Sequence, residues 1–345
     1  MPDLRPTLEQ VAAHAGVSRA TVSRVVNGSP SVDPALVAKV QTSIEALNYV
    51  PNQAARSLMT GRAGMVALVV AESDTRVFGD PFFSGIVRGA NQELTRAGMQ
   101  LILAMAHDES ETDRVQTFLT GRHVDGVLFI SEHSHADFAA QVTQAGIPLV
   151  VGGRPLSESP DLPYVDNDNI GGARLAARHL QSSGRRRIGT ITGPADMSAG
   201  IDRLQGFSEG LGELYDPSRV EAGLFTTQSG TVATARLLER HPDLDALFAA
   251  SDLMALGAYA AVRQTGRRIP DDVAIVGFDD IPLAEVADPP LTTLRQHTVD
   301  QGRLMARMLV SILEGASPQD IPGVETAVDP LRVSLPVELV VRESA

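Results

Sequence analysis

The 345-residue sequence contains no cysteine, and Lys39 is its only lysine. Without a thiol there can be no disulfide and no thiolate metal centre. Without a lysine beyond position 39, residues 63–345 cannot hold a Walker A phosphate loop, a kinase-type ATP site or a pyridoxal Schiff base. No uninterrupted apolar run reaches the roughly 18 residues needed to span a bilayer, so no membrane partner is expected. The opening "MPDLRPTLEQ" has neither the basic region nor the apolar stretch of a signal peptide, which makes a cytoplasmic location the expectation. Neither a G-x-S-x-G elbow nor an H-E-x-x-H helix is present. No catalytic residue, metal or cofactor is therefore expected.

What is present is a chain long enough for two or three domains, 43% hydrophobic and 21% charged, in the range of folded proteins. Its net charge of −13 is divided unevenly. Residues 1–62 carry six basic and four acidic residues (+2), leaving 23 basic and 38 acidic residues (−15) for the remainder. A basic head on an acidic body lets the head approach a polyanion while the body is repelled, so binding is local and salt-dependent. Nucleic acid is the leading partner.

In the head, "PTLEQVAAHAG" places Thr7 three residues before Gln10, a capping-box pattern, with Leu8, Val11, Ala12 and Ala15 at helical spacing. Gly16 makes a tight turn, and Ser18 caps a second helix with Val22, Val25 and Val26 inward and Arg19, Ala20, Ser23 and Arg24 outward. Asp33 and Pro34 open a third helix that packs through Leu36, Val37, Val40, Ile44 and Leu47. This is a helix-turn-helix whose second helix is shaped to enter a major groove; the same pattern fits a three-helix bundle with no ligand. "NYVPNQAARSLMTGRAG" (48–64) reads as a linker too short to be a stable helix alone.

The stretches "TLEQVAAHAGVSRATVSRVVNG" and "LNYVPNQAARSLMTG" resemble the LacI/GalR family of bacterial transcription repressors, and the similarity continues through the body. The resemblance implies a helix-turn-helix domain at 1–50, a hinge at 51–62 and an effector-binding and dimerisation body at 63–345. It implies base reading by Arg19 and Ala20, with Arg19 suited to a bidentate contact with guanine. Thr7, Ser18, Thr21, Ser23, Arg24 and Asn27 would hold the DNA backbone or add base contacts. Asn52, Ala55 and Leu58 would belong to a hinge helix that forms on DNA and wedges Leu58 into the minor groove; the plain alternative for Leu58 is a linker residue packed on its own body.

In the body, apolar runs such as "MVALVV", "DGVLFI", "ALFAAS" and "VAIVGFDD" alternate with helical stretches such as 84–97, 170–183 and 252–265. Continuous apolar strands between helices indicate parallel sheets covered on both faces, and the alternation suffices for two. "YVDND" (164–168), "PPLTTLRQH" (289–297) and "VSLPVELVVRES" look like crossings between them. The expected fold is an all-α head plus an α/β body of two doubly wound, periplasmic-binding-protein-like lobes. Lobe one is expected at about 63–163 and 294–325, and lobe two at about 164–293 and 326–345.

A ligand cleft is expected beyond the carboxyl ends of the strands. Arg203 and Asp279 match family positions that hold an effector's polar groups; Asp80, Phe82, Ser251, Asp252 and Gln296 are the further candidates. Each has a structural alternative: Asp252 and Asp279 as caps, Phe82 as core, Arg203 as a structural pair. "HSH" (133–135) reads as a solvated loop and "GRRR" (184–187) as a turn before a strand. No leucine-heptad tail follows "VVRESA", so a homodimer reading near-palindromic operator DNA is expected. The functional expectation is a repressor controlled by a small molecule, with a sugar as the effector that the family resemblance implies; the alternative is a corepressor-dependent regulator responding to a purine or nucleoside. A solute-binding protein and a sugar-acting enzyme are the weaker classes.

Overall fold

The computed structural model describes residues 6–26, 29, 31–50, 62–133, 138–156, 162–324 and 329–345. They fall into two compact units, Met1–Ala63 and Gly64–Ala345. Among the described residues no helix is long and apolar enough to cross a membrane.

The first unit holds α1 (Leu8–Ala15), α2 (Arg19–Val26) and α3 (Pro34–Ala46). Local chemistry sets each boundary. The Gln10 amide donates to Thr7 Oγ1 at 3.3 Å while the Thr7 amide donates to Gln10 Oε1 at 2.8 Å, closing the predicted capping box. Gly16 ends α1 at φ +65°, a left-handed conformation that glycine adopts without a Cβ clash. Ser18 Oγ accepts the Thr21 amide at 3.1 Å, and Asp33 caps α3 with Pro34 at its first position. The core is small: Val11, Ala12, Ala15, Val22, Val40 and Tyr49 are buried, with Val25, Val26, Ile44 and Leu47 packed against them.

The second unit has two parallel sheets. The first runs β11-β5-β4-β3-β1-β2, from β1 (Met65–Val70), β2 (Gln100–Met105), β3 (Gly126–Ile130), β4 (Leu149–Gly152), β5 (Tyr164–Asn167) and β11 (Arg332–Leu335). The second runs β7-β6-β8-β9, from β6 (Ile188–Thr192), β7 (Val220–Ala222), β8 (Ala246–Ala249) and β9 (Ala274–Val276). A short antiparallel pair, β10 (Thr293–Arg295) and β12 (Glu338–Val340), lies with the second lobe. Central strands such as β1 and β3 are buried along nearly their whole length, as parallel strands covered by helices must be.

Helices cover both sheets. In the first lobe α4 (Asp74–Gly79), α5 (Pro81–Arg96), α6 (Glu109–Thr120), α7 (Phe138–Gln144) and α13 (Thr298–Glu314) do so. In the second these are α8 (Asn169–Ser182), α9 (Ser198–Leu211), α10 (Thr227–Arg240), α11 (Asp252–Gln264) and α12 (Pro282–Val286). The α5–α13 crossing is close because Gly89 faces the Val299 carbonyl, where an added Cβ would stand 1.9 Å from the oxygen.

The chain passes between lobes after β5, after β10 and after β11. One boundary departs from the sequence reading, which puts 326–345 in lobe two. Residues Arg332–Leu335 pair in parallel with Tyr164–Asn167 and complete the edge of the first sheet; only the chain beyond them enters lobe two. β5 likewise lies in the first sheet, although the sequence reading starts lobe two at 164.

Candidate functional site

Two places collect the candidate residues. On the head, Ser18, Arg19, Ala20 and Arg24 are exposed and Thr21 and Ser23 half-buried, on or just before α2, whose Val22 is turned into the core. Arg19 Nε lies 3.1 Å from Glu9 Oε1, an ion pair in water that salt screens and a phosphate or base edge can replace. Thr7 is exposed with its hydroxyl used as the α1 cap. Asn27, Asn52, Ala55 and Leu58 lie outside the described residues.

In the body, loops leaving the carboxyl ends of β3, β4, β5, β6, β8 and β9 line a cavity of about 700 Å³, part of it open to solvent. Asp80, Phe82, Arg203, Ser251, Asp279 and Gln296 all reach its wall. Arg203, buried on α9, is the centre of the polar network. Its Nη1 lies 3.6 Å from Asp279 Oδ1 and donates to the Ala250 carbonyl at 2.6 Å, and its Nε donates to Asn169 Oδ1 at 2.9 Å. The guanidinium sits 3.8 Å from the centroid of the Phe278 ring and 5.5 Å from that of Phe225. Gln296 Nε2 donates to Asp279 Oδ1 at 2.5 Å.

Burial acts on several charges here. It raises Asp279 well above the ordinary carboxylate range and lowers Arg203, while each partner's charge opposes the shift. Burial also lifts Asp80, which caps α5 through the Phe82 amide, and pushes Asp166 up to about 6. Positive φ angles at Ser131 (+60°), Phe225 (+55°) and Asp279 (+126°) put three non-glycine residues of the wall in sparsely populated conformations, held there by the surrounding network.

Asp252 does not reach the cavity. Its carboxylate is turned inward, accepting Thr293 Oγ1 at 2.5 Å and the Ile281 amide at 2.9 Å, so it ties α11 to the strand crossing. Ser251, which does reach the wall, also caps α11 through the Met254 amide.

The sequence reading missed Arg76, Ser131, Glu132, Arg154, Asp166, Asn169, Met197, Phe225 and Gln301 in the wall. Two of the missed features join the lobes. Arg154, after β4, grips Asp202 of α9 with two bonds of 3.0 and 2.7 Å. His133 of the "HSH" stretch is no free loop residue: its Nδ1 is 2.7 Å from Asp196 Oδ2 across the cleft, and its Nε2 is 3.6 Å from Glu72 Oε1. The Glu72 carboxylate, then that of Asp196, raises the His133 pKa above its ordinary value against the opposing effect of burial. Position along a strand end foretells none of these pairings; only the meeting of two lobes does.

A helix-turn-helix head, and a body with a polar, aromatic-walled cavity between two doubly wound lobes, define a class: regulators that couple a small-molecule site to a DNA-binding domain. The matching family models agree. The model for bacterial regulatory proteins of the lacI family matches residues 7–52, and that for a periplasmic binding protein-like domain matches residues 177–345. The transcriptional regulator CelR of Thermobifida fusca is 49% identical over 344 residues, covering 99% of this chain and 98% of that protein. The repressor CytR of Escherichia coli K12 is 31% identical over 90% of each chain. A solved transcriptional regulator CelR–cellobiose complex superimposes with a TM-score of 0.77 at 47% identity, over 99% of this chain and 100% of that one. The lac repressor dimer bound to operator and the anti-inducer ONPF gives 0.83 at 27% identity, over 99% of both chains. The chain belongs to the LacI family of transcriptional regulators. These relatives are named as regulators of transcription.

Proposed function

We propose that the protein is a dimeric repressor whose grip on a near-palindromic operator is set by an uncharged sugar held between the lobes, a β-linked glucose disaccharide such as the cellobiose of the CelR complex being the leading candidate. The observation that carries the effector class is the state of the cavity's arginines. Arg76 is engaged by Glu72 at 2.8 Å, Arg154 by Asp202 and Arg203 by Asp279, so each described cation of the wall already has a carboxylate partner. A phosphate or carboxylate ligand would have to displace one of them. A polyhydroxyl ligand needs the opposite: fixed acceptors and donors for paired hydroxyls and apolar faces for ring carbons, which Asp279, Arg203, Phe82 and Phe225 supply.

Arg19 and Arg24 are the proposed base readers, Ala20 offers an apolar contact, and Ser18, Thr21 and Ser23 hold phosphates. The hinge residues Asn52, Ala55 and Leu58 are proposed to fold onto the minor groove, and a ligand that favours the lobe arrangement incompatible with their pairing releases the operator.

The test is calorimetry of the full-length protein with cellobiose, glucose 6-phosphate and a nucleoside, followed by operator binding with and without the ligand that binds. Cellobiose binding with weakened operator affinity is expected. Binding of the phosphorylated sugar or the nucleoside alone would overturn the effector class, and a ligand that tightens operator binding would make it a corepressor.

A further inference from the structure

One carboxylate of the cavity wall differs from all the others. Glu132 follows β3 at the turn made by Ser131; burial is the main influence on it and raises its pKa, with the Leu156 backbone amide acting against that shift. Its Oε2 is buried and has no hydrogen-bond partner. A buried acceptor left unmade costs about 1–3 kcal/mol, more when charged, so such an oxygen in a cavity wall marks where a donor from outside belongs.

Its position sets it apart from the Arg203 network. The described bonds and ion pair of Arg203 go to Asn169, Ala250 and Asp279, not to Glu132. Its neighbour His133 reaches across the cleft to Asp196, which puts Glu132 beside a contact between the lobes. The wall therefore holds one carboxylate, Asp279, committed to Arg203 and Gln296, and another, Glu132, with an uncommitted oxygen.

We propose that Glu132 is a specificity-determining residue for effector length: its unpartnered oxygen accepts a hydroxyl from a second sugar unit, while Arg203 and Asp279 hold the first. This rests on the reading of the cleft as a neutral-sugar site. It makes a disaccharide, and not its monosaccharide unit, the ligand that supplies a donor to Glu132.

The experiment is calorimetric titration of the full-length protein and its E132Q and E132A variants with cellobiose and with glucose, each taken to saturation, alongside melting curves without sugar. A hydrogen bond to a charged group corresponds to about a tenfold or greater change in Kd. Cellobiose binding is expected to weaken by that factor in E132A and by less in E132Q, whose amide oxygen still accepts, while glucose binding stays as in the wild type and the melting temperature does not fall. Wild-type cellobiose affinity in E132A would overturn the proposal, and so would equal loss of both sugars. A disaccharide carrying an amino group that binds more tightly than cellobiose, and loses that advantage in E132Q, would replace the hydroxyl by an ammonium and also overturn it. If the wild type binds neither sugar, the sugar reading itself fails, and that result is distinct from any failure of the variants.

Discussion

In the head, Arg19, Ala20 and Arg24 stand exposed on a short helix; in the body, Arg203, Ser251 and Asp279 are buried and tied to their neighbours before any ligand arrives. The two arrangements suit two kinds of partner. A surface arginine must be ordered on binding, at a cost of up to about 2 kcal/mol of rotamer freedom, but it can reach a long polyanion and exchange counterions with it. A buried, cross-linked set has little freedom left to lose and can discriminate a small neutral molecule by whether every polar group finds a partner. The small head core also contrasts with the extensive cores of the two lobes, which predicts a head that melts on its own.

The sharpest break in this comparison is Asp279→Ala. It takes away the carboxylate that pairs with buried Arg203, leaving the more weakly acting Asp166, Asp80 and Asp252, at a cost of up to about 3–5 kcal/mol, and removes the ligand response. Melting curves should show the body transition shifted, while operator binding without ligand survives; an intact ligand response would remove Asp279 from the site. Val22→Ala is the matching change in the head, where loss of two buried methyls costs about 2 kcal/mol. DNA binding should fall while sugar binding stays, as anisotropy and calorimetry on one sample would reveal; parallel loss of both would mean the two units do not melt independently.

Arg19→Ala is narrower still. At one half-site position the preference for guanine should drop by about 1–3 kcal/mol, with non-specific binding largely kept. Uniform weakening on every sequence would make Arg19 a phosphate contact. The smallest effect is expected at the cleft contact. Because Glu72 and Asp196 raise the His133 pKa above 6.5, the contribution of that contact is complete below pH 6.5 and is lost as pH rises through the raised value. The melting temperature of the wild type should decline over that rise and that of His133→Asn should not; identical profiles would mean that the contact adds nothing.

Much of the fold was legible because its signals are local. Thr7 with Gln10, Gly16, Asp33 and Pro34 mark helix ends within four residues of themselves, and uninterrupted apolar runs mark buried parallel strands. Legibility failed where the deciding partner is distant. "RVSL" carries no sign that its neighbour is β5, and its nearness to β12 suggests the wrong lobe. Asp252 has the same address as a cleft residue, just past a strand, yet Thr293 and Ile281 turn it inward. In the cleft, the Arg203 and Asp279 positions came from the family pattern, whereas His133 and Arg154 have meaning only through residues of the other lobe.

The pairing of β11 with β5 has a kinetic side. Arg332 meets Tyr164 across a span of chain that contains the strands β6 to β9 and their helices. Contacts between residues far apart in sequence form late, because so long a loop must close first. The second sheet, built from consecutive segments, can thus assemble while the first still shows an unpaired parallel edge at β5. Until Arg332–Leu335 docks there, that edge is open to pairing with another copy of the chain.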